Sequence, residues 1–328
     1  MLDIVQQYQS SFTPIRDGLE YETNDPRDTS LYISNCVFEP VPILADVDGL
    51  PQEMPRYFGL FNRSLGELLD MTPFKDSYNL VHHREVFEKQ AEQLQASQLG
   101  GQRMRVIDRI FEGGKKAHRT IYFPDMTSEV NSRAAQDTVT PRLDVYNSID
   151  KSWSFQVFSG AYRDLCRNTL VFGGEKSYHQ KKKHTRNLDT EALTNKAVLS
   201  LDLFTNQRDQ LNRWTGAGLS LNQFSDILAD TICKREEKAS DRFDDVERPA
   251  VNKGLMDTLC DQYKEETIEL GETMFAGYNA LTHWSTHTLE TKRSKKNQKQ
   301  HDTQRMRSNL VRDVITSDSW RALEGVTA

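Results

Sequence analysis

The segment from Lys176 to Arg186, KSYHQKKKHTR, contains five cationic side chains and no acid, a composition suited to binding phosphate. The cations are Lys176, Lys181, Lys182, Lys183 and Arg186. Tyr178, His179 and His184 lie among them, and rings of this kind can stack on nucleotide bases. The alternative is a solvated loop or helix face, as charge runs usually are. We expect this segment, including His184, to contact nucleic acid.

A second candidate is the block from Arg163 to Leu170, RDLCRNTL. Arg163 and Arg167 could hold phosphates, and Asn168 could contact a base edge or fix the loop. The structural alternative is that Asn168 caps a turn and Cys166 is a core residue. Cys166 could act as a nucleophile only beside an imidazole base, and no spacing joins it to a histidine. We therefore predict no catalytic residue.

Metal and cofactor motifs are weak in this sequence. His283 and His287 are four residues apart and would share one helix face, as paired metal ligands do. Trp284 occupies the place of the glutamate in the H-E-x-x-H motif, and no third ligand is evident. We interpret the pair as polar helix-face histidines and predict no metal. The glycine pairs at 113–114 and 173–174 match no phosphate-binding motif, so no cofactor is predicted.

The acids offer little discrimination. Asp125, Asp144, Asp150 and Asp164 could in principle hold Mg²⁺ for a nuclease. The chain contains 48 Asp and Glu in total, so the presence of these four acids is weak evidence for a metal site. A metal-dependent nuclease remains a weaker alternative.

The charge of the chain is unevenly distributed. The net charge of the 328 residues is -6, yet residues 1–80 alone contain 13 acids and 5 cations. A second basic segment, residues 292–307, contains seven cations and one acid. No run approaches the roughly 18–20 apolar residues of a spanning helix, so no membrane association is predicted. The four cysteines show no C-x-x-C spacing, which is typical of reduced thiols in a cytosolic protein.

The elements that position these residues follow from periodicity. Apolar residues from Val86 to Leu99 recur at helical spacing, which predicts a helix near 82–99. Alternating and β-branched runs predict strands at 104–111 and 117–123, and in the RLDVYNS and WSFQVFSG segments. A hairpin is predicted through FNRSLGELLD. Beyond Leu188 the pattern is helical, with helices near 189–214, 219–234, 253–270, 272–289 and 304–315.

The predicted fold class is α+β, with a mixed or antiparallel sheet in the first half, a long helix before it and a helical second half. We expect a polar N-terminal arm over residues 1–30. One α+β domain would cover residues 31–290, β-rich over 31–187 and helical over 188–290. A basic C-terminal tail would cover residues 291–328.

Five islands of the sequence together resemble a known family. They are the segments Tyr78–Phe87, Asn147–Asp150, Arg163–Leu170, His184–Thr185 and Tyr278–Trp284. In this order they are similar to the phage/plasmid-like family of uncharacterised proteins, also called domain of unknown function nine-thirty-two. Lys183 and His283 depart from that family's usual arginine and acid. The resemblance implies a gene carried by phages, prophages or plasmids, and it brings no established catalytic residues.

Two hypotheses of function follow. The first is a phage-encoded protein of the host cytoplasm that binds single-stranded DNA and anneals it in replication or recombination, without catalysis and as a homo-oligomer. The order of helix, strands, basic loop and long helix looks like the core of single-strand annealing recombinases, which is an analogy of fold alone. The second is a non-enzymatic interaction protein that binds a host or virion protein, for which the acidic first 80 residues would matter more.

Overall fold

A computed structural model describes residues 19–29, 38–62, 67–73, 80–133, 137–163, 168–171, 179–184, 187–201, 204–234, 251–287 and 300–325. The chain divides into two compact units. Unit 1 consists of Met1–Asp125, Arg142–Ser159 and Lys176–Leu201, and unit 2 of Met126–Pro141, Gly160–Glu175 and Asp202–Ala328. The single domain predicted over residues 31–290 stays a prediction, and Arg167, Lys176 and Arg186 lie outside the described residues.

In the described chain, four strands precede the first α-helix, seven strands follow it, and the other α-helices come last. The strands are β1 (Leu19–Thr23), β2 (Phe38–Val47), β3 (Leu50–Asn62), β4 (Glu67–Pro73), β5 (Arg105–Phe111), β6 (Lys116–Tyr122), β7 (Ser128–Glu129), β8 (Thr138–Ser148), β9 (Phe155–Arg163), β10 (Asn168–Val171) and β11 (His179–Lys182). The helices are α1 (His83–Ala96), α2 (Thr190–Leu201), α3 (Phe204–Gly216), α4 (Leu221–Asp230), α5 (Lys253–Leu270), α6 (Met274–Thr286), α7 (Gln300–Ile315) and α8 (Asp318–Glu324).

The sheets confirm the α+β class, because every strand pairing for which a register is defined is antiparallel. The helix predicted at 82–99 is α1, and the strands predicted at 104–111 and 117–123 are β5 and β6. Part of the predicted N-terminal arm is instead a strand, since β1 pairs with β5. The helix predicted over 189–214 is described as α2 and α3, and residues 202–203 between them are outside the description.

The main sheet of unit 1 runs in the order β1-β5-β6-β8, and β11 pairs with β9. One face buries apolar side chains such as Val106, Ile121 and Val145. Helix α1 packs on this face through Phe87, whose ring centre lies 4.3 Å from the Arg119 guanidinium. Arg119 also makes a bidentate pair with Asp108, and both side chains are fully buried.

A second sheet of unit 1 has the order β2-β3-β4. The predicted hairpin through FNRSLGELLD is confirmed, since Asn62 at the end of β3 pairs with Glu67 at the start of β4. Strands β2 and β3 form a longer hairpin before it.

Unit 2 is organised around helix α6, which is buried along almost its whole length. Its Tyr278 ring lies 4.9 Å from the ring of Trp214 in α3, edge to face. Thr273 caps the helix by accepting a hydrogen bond from the backbone amide of Ala276. In the same unit, β7 pairs with the first residues of β8, and β10 pairs with the last residues of β9.

Candidate functional site

The lysine run that the sequence analysis selected lies on the surface of unit 1. Strand β11 places Lys181 directly opposite Gln156 of β9. The side chains of Lys181, Lys182 and Lys183 are all exposed, and the Lys182 ammonium donates a hydrogen bond to the carbonyl of Asn187. These positions are accessible to a phosphate from solvent.

His184 behaves differently from the lysines that precede it. Its side chain is buried, with only 6% of its surface exposed. The prediction that His184 contacts a nucleotide beside the lysines is therefore not supported by its position, because a base would need the ring face to be open.

Arg163 is enclosed in unit 2. Its guanidinium donates to both carboxylate oxygens of Asp137, with Nε–Oδ1 at 2.6 Å and Nη2–Oδ2 at 2.7 Å. Its Nη1 donates to Oδ1 of Asn279 at 2.9 Å. Arg163 is 2% exposed and the Asp137 side chain is fully buried. The expectation that Arg163 holds a phosphate is therefore corrected. Its N–H groups donate to the buried side chains of Asp137 and Asn279, away from water.

Asn168 belongs to the same cluster. It is fully buried, it lies opposite Arg163 in the β9–β10 pair, and its Nδ2 donates to the Asn279 carbonyl at 3.4 Å. Asn279 in turn donates to the Phe275 carbonyl within α6. The Asn168 amide thus joins β10 to helix α6, and the expectation of a base contact is corrected because the side chain is fully buried. Buried hydrogen bonds thus join two of the sequence islands, Arg163–Leu170 and Tyr278–Trp284.

Two further islands meet in unit 1. Asn147 on β8 donates from Nδ2 to the Val81 carbonyl at 3.0 Å and to Nδ1 of His83 at 2.9 Å. Nε2 of His83 donates to the Gly114 carbonyl at 2.8 Å. Burial lowers the pKa of His83 to about 4, so the imidazole is neutral near pH 7. This arrangement joins the start of α1 to the sheet.

A polar cluster that the sequence analysis did not assemble lies on the main sheet of unit 1. His118 and Thr120 on β6 face Asp144 on β8, because Thr120 and Asp144 are direct cross-strand partners. Nε2 of His118 donates to Asp144 Oδ1 at 2.8 Å, and the Thr120 hydroxyl donates to the same oxygen at 2.9 Å. Arg142 contacts Asp144 Oδ2 at 2.7 Å, and Arg109 donates to the Thr120 hydroxyl.

The charges of this cluster fix its protonation. Burial alone would raise the pKa of Asp144, but Arg142, His118 and Thr120 outweigh it and hold the pKa at about 2. Burial lowers the pKa of His118, and the Asp144 carboxylate offsets this effect only in part. An ionised carboxylate can only accept, so the proton of the neutral imidazole is on Nε2 and Nδ1 carries the lone pair. The ring also stacks on Tyr146 at 4.1 Å.

The cluster can therefore present a hydrogen-bond acceptor of fixed orientation beside two guanidinium groups. The signal for it was present in the sequence. Residues 118, 120 and 122 of β6 and residues 142, 144 and 146 of β8 are polar or aromatic at every second position, and alternate residues of a strand share one face. What the sequence lacks is the register that brings the two rows together.

Nitrogen-15 correlated spectra near pH 7 test this geometry. We expect the His118 proton on Nε2, with a fraction on Nδ1 near zero. Asp144→Asn removes the anionic acceptor, so the Nδ1-protonated tautomer is expected to become populated. A wild-type protein with the proton on Nδ1 would contradict the hydrogen bond to Asp144. The exposed His287 provides the internal comparison in the same spectra.

The predicted histidine pair is on α6 and just after it. The rings of His283 and His287 are 4.9 Å apart, and Nδ1 of His283 is 4.0 Å from Oε1 of Glu266. Burial raises the pKa of Glu266 and lowers that of His283. In the described part of the chain, no three His, Cys, Asp or Glu side chains come together as a group that could hold a metal ion.

Comparisons with known proteins give one match. The family model described as Domain of unknown function (DUF932) matches residues 72–310. No curated protein and no solved structure matches the chain. No described helix is long and apolar enough to cross a membrane.

Proposed function

The chain belongs to the DUF932 family, whose description names no activity, and from the geometry of unit 1 we propose that it binds single-stranded DNA without cleaving it. The observation that carries the proposal is the exposed run Lys181–Lys183 on an antiparallel sheet that also bears arginine and aromatic side chains. We propose that the ligand is DNA of the phage or plasmid that carries the gene, and that binding promotes annealing in the host cytoplasm.

Phosphates would contact the lysines. Lysine is a point charge on a flexible stem, so it attracts phosphate without selecting a sequence. The net charge of -6 does not prevent phosphate binding, because attraction of phosphate depends on the cations near the site.

Bases would contact the aromatic side chains on the same sheet. The Arg105 guanidinium lies 5.8 Å from the centre of the Tyr122 ring, and His118 stacks on Tyr146. Tyr122 and Tyr146 are both half-buried, and a base would stack against the exposed part of these side chains. Tyr122 and Tyr146 thus belong to the proposed binding site, although their sequence pattern had not indicated them. Arg163, Asn168 and His184 do not belong to it.

A salt titration of binding to a labelled single-stranded oligonucleotide tests the proposal. The triple variant Lys181→Gln, Lys182→Gln and Lys183→Gln is expected to weaken binding at about 50 mM salt by roughly 10- to 100-fold. The slope of log affinity against log salt should fall by about 2, since each lost phosphate contact contributes about 0.7.

The matched control removes the same charge elsewhere. Lys196, Lys253 and Lys264 are exposed and at least 11 residues apart in the sequence, so their triple replacement by Gln should leave the slope almost unchanged. No binding of single-stranded DNA by micromolar protein at about 50 mM salt would overturn the proposal. Loss of oligonucleotide integrity on addition of Mg²⁺ or Mn²⁺ would instead support the nuclease alternative.

A further inference from the structure

The three-stranded sheet of unit 1 carries most of the large hydrophobic side chains that are exposed in the described residues. Six of the eight large hydrophobic side chains that are exposed in the described residues lie on it. They are Leu44, Val47, Leu50, Met54, Tyr57 and Leu68, with exposed fractions between 38% and 65%. Isolated exposed apolar residues need no explanation, but a concentration of them indicates an interaction surface.

The β2–β3 hairpin is a defined structure at both ends. Its turn has two residues, Asp48 and Gly49, at φ 55° and 80°, as an Asp-Gly hairpin turn requires. The Asp46 carboxylate accepts a hydrogen bond from the Gly49 amide. At the base, Phe38 and Leu60 pack against Ile149 in a buried cluster. Between base and tip, no side chain described in residues 39–58 is buried.

The hairpin is also acidic. Residues 38–55 contain Glu39, Asp46, Asp48 and Glu53 and no Lys or Arg. A partner for this surface must offer cations together with apolar groups. The run Lys181–Lys183 offers both, because lysine presents a long aliphatic stem below its ammonium group. Among the described strands, β11 pairs only with β9, although helix α2 also contacts β11.

We propose that the β2–β3 hairpin of one copy of this chain docks on strand β11 of a second copy. Leu44 lies on the same hairpin face as Asp46 and Glu53, so it would cover the lysine stems while Asp46, Asp48 and Glu53 face the ammonium groups. Pairing two hairpins with each other is disfavoured, since it would oppose eight carboxylates. Because hairpin and β11 are different surfaces, the contact is head-to-tail and generates a ring or an open chain.

This docking has a consequence that rests on the proposed DNA binding. Lys181, Lys182 and Lys183 would bind either the hairpin of a neighbouring copy or the phosphates of DNA. Self-association and single-stranded DNA would therefore compete, and the hairpin would act as an acidic substitute for nucleic acid.

A charge-exchange experiment on the full chain tests the docking. One variant carries Asp46→Lys, Asp48→Lys and Glu53→Lys, and the other carries Lys181→Glu, Lys182→Glu and Lys183→Glu. Sedimentation velocity at low salt should show wild-type association and, for each variant alone, association at least tenfold weaker. An equal mixture of the two variants should associate again, because each hairpin then meets a β11 of opposite charge.

Two results would overturn the docking: a wild-type protein that stays monomeric at tens of micromolar, and a mixture that does not recover association. Circular dichroism confirms that each variant is folded. The variant Leu44→Ser tests the apolar part and should also associate at least tenfold more weakly. Ile268→Ser, at a residue 84% exposed on α5, is its control and should associate as the wild type does.

DNA binding by the same variants separates this inference from the proposed function. The hairpin charge variant should bind a labelled single strand at least as tightly as the wild type, since its β11 is intact. If charge exchange restores association while no variant binds DNA, the docking stands and the proposed function fails. If DNA binds but the mixture does not associate, the docking fails alone.

Discussion

Arg163→Met is expected to lower the free energy of unfolding of unit 2 by about 3–5 kcal/mol. The substitution leaves the fully buried Asp137 carboxylate without its two guanidinium hydrogen bonds, while the Ser132 hydroxyl still donates to its Oδ2. An unpaired buried carboxylate must take up a proton or draw in water, and either costs stability. Denaturant unfolding, followed by circular dichroism, measures the loss.

Three further variants show whether the loss comes from the buried pair. Arg163→Lys should recover only part of the stability, because an ammonium cannot reproduce the fork to Asp137 and Asn279. Arg163→Met with Asp137→Leu should be more stable than Arg163→Met alone, since no charge is left unpaired. Arg208→Met breaks an exposed pair with Asp209 and should cost less than 1 kcal/mol. Equal losses for Arg163→Met and Arg208→Met would contradict the internal role of Arg163.

The position of Arg163 could not be predicted from its residue type. Two arginines close in sequence indicate a surface that binds anions, because arginine is seldom buried unless it is paired. The partners that bury Arg163 lie 26 residues before it and 116 residues after it, at Asp137 and Asn279. Only the tertiary fold brings these three residues together, so local pattern carries no information about the pairing.

Local elements were more predictable than the units they build. The period of 3.6 identified α1, which buries one face. Apolar, β-branched and aromatic content identified β5 and β6, which are largely buried on both faces. The division into units was not predictable from composition. Two of its boundaries fall inside β8 and β9, where the chain continues as a strand and no linker marks the change.

Four of the five sequence islands contact one another in pairs in the structure. The island at 78–87 meets the one at 147–150 through His83 and Asn147, and the island at 163–170 meets the one at 278–284 through Arg163, Asn168 and Asn279. Both meetings are buried hydrogen-bonded clasps between segments distant in sequence. These four islands therefore maintain the fold of each unit.

Acid is expected to destabilise unit 1 through His83. The folded-state pKa is about 4, mainly because of burial, while the unfolded value is about 6.5. Between these values the unfolded chain binds a proton that the folded chain does not. The stabilisation is thus complete above pH 6.5, and about 3 kcal/mol of it is lost as the pH falls to 4.

His83→Gln isolates this contribution from that of other titrating groups. The glutamine amide can donate to the Gly114 carbonyl and accept from Asn147, yet it does not titrate. At pH 7 the variant should be less stable than the wild type by about 1–2 kcal/mol. The difference should shrink and then reverse between pH 6.5 and 4, because only the wild type is penalised there. His287→Gln removes an exposed imidazole and is the matched control for the loss of one histidine. Parallel pH profiles of the wild type and His83→Gln would show that His83 is not held neutral by the clasp with Asn147.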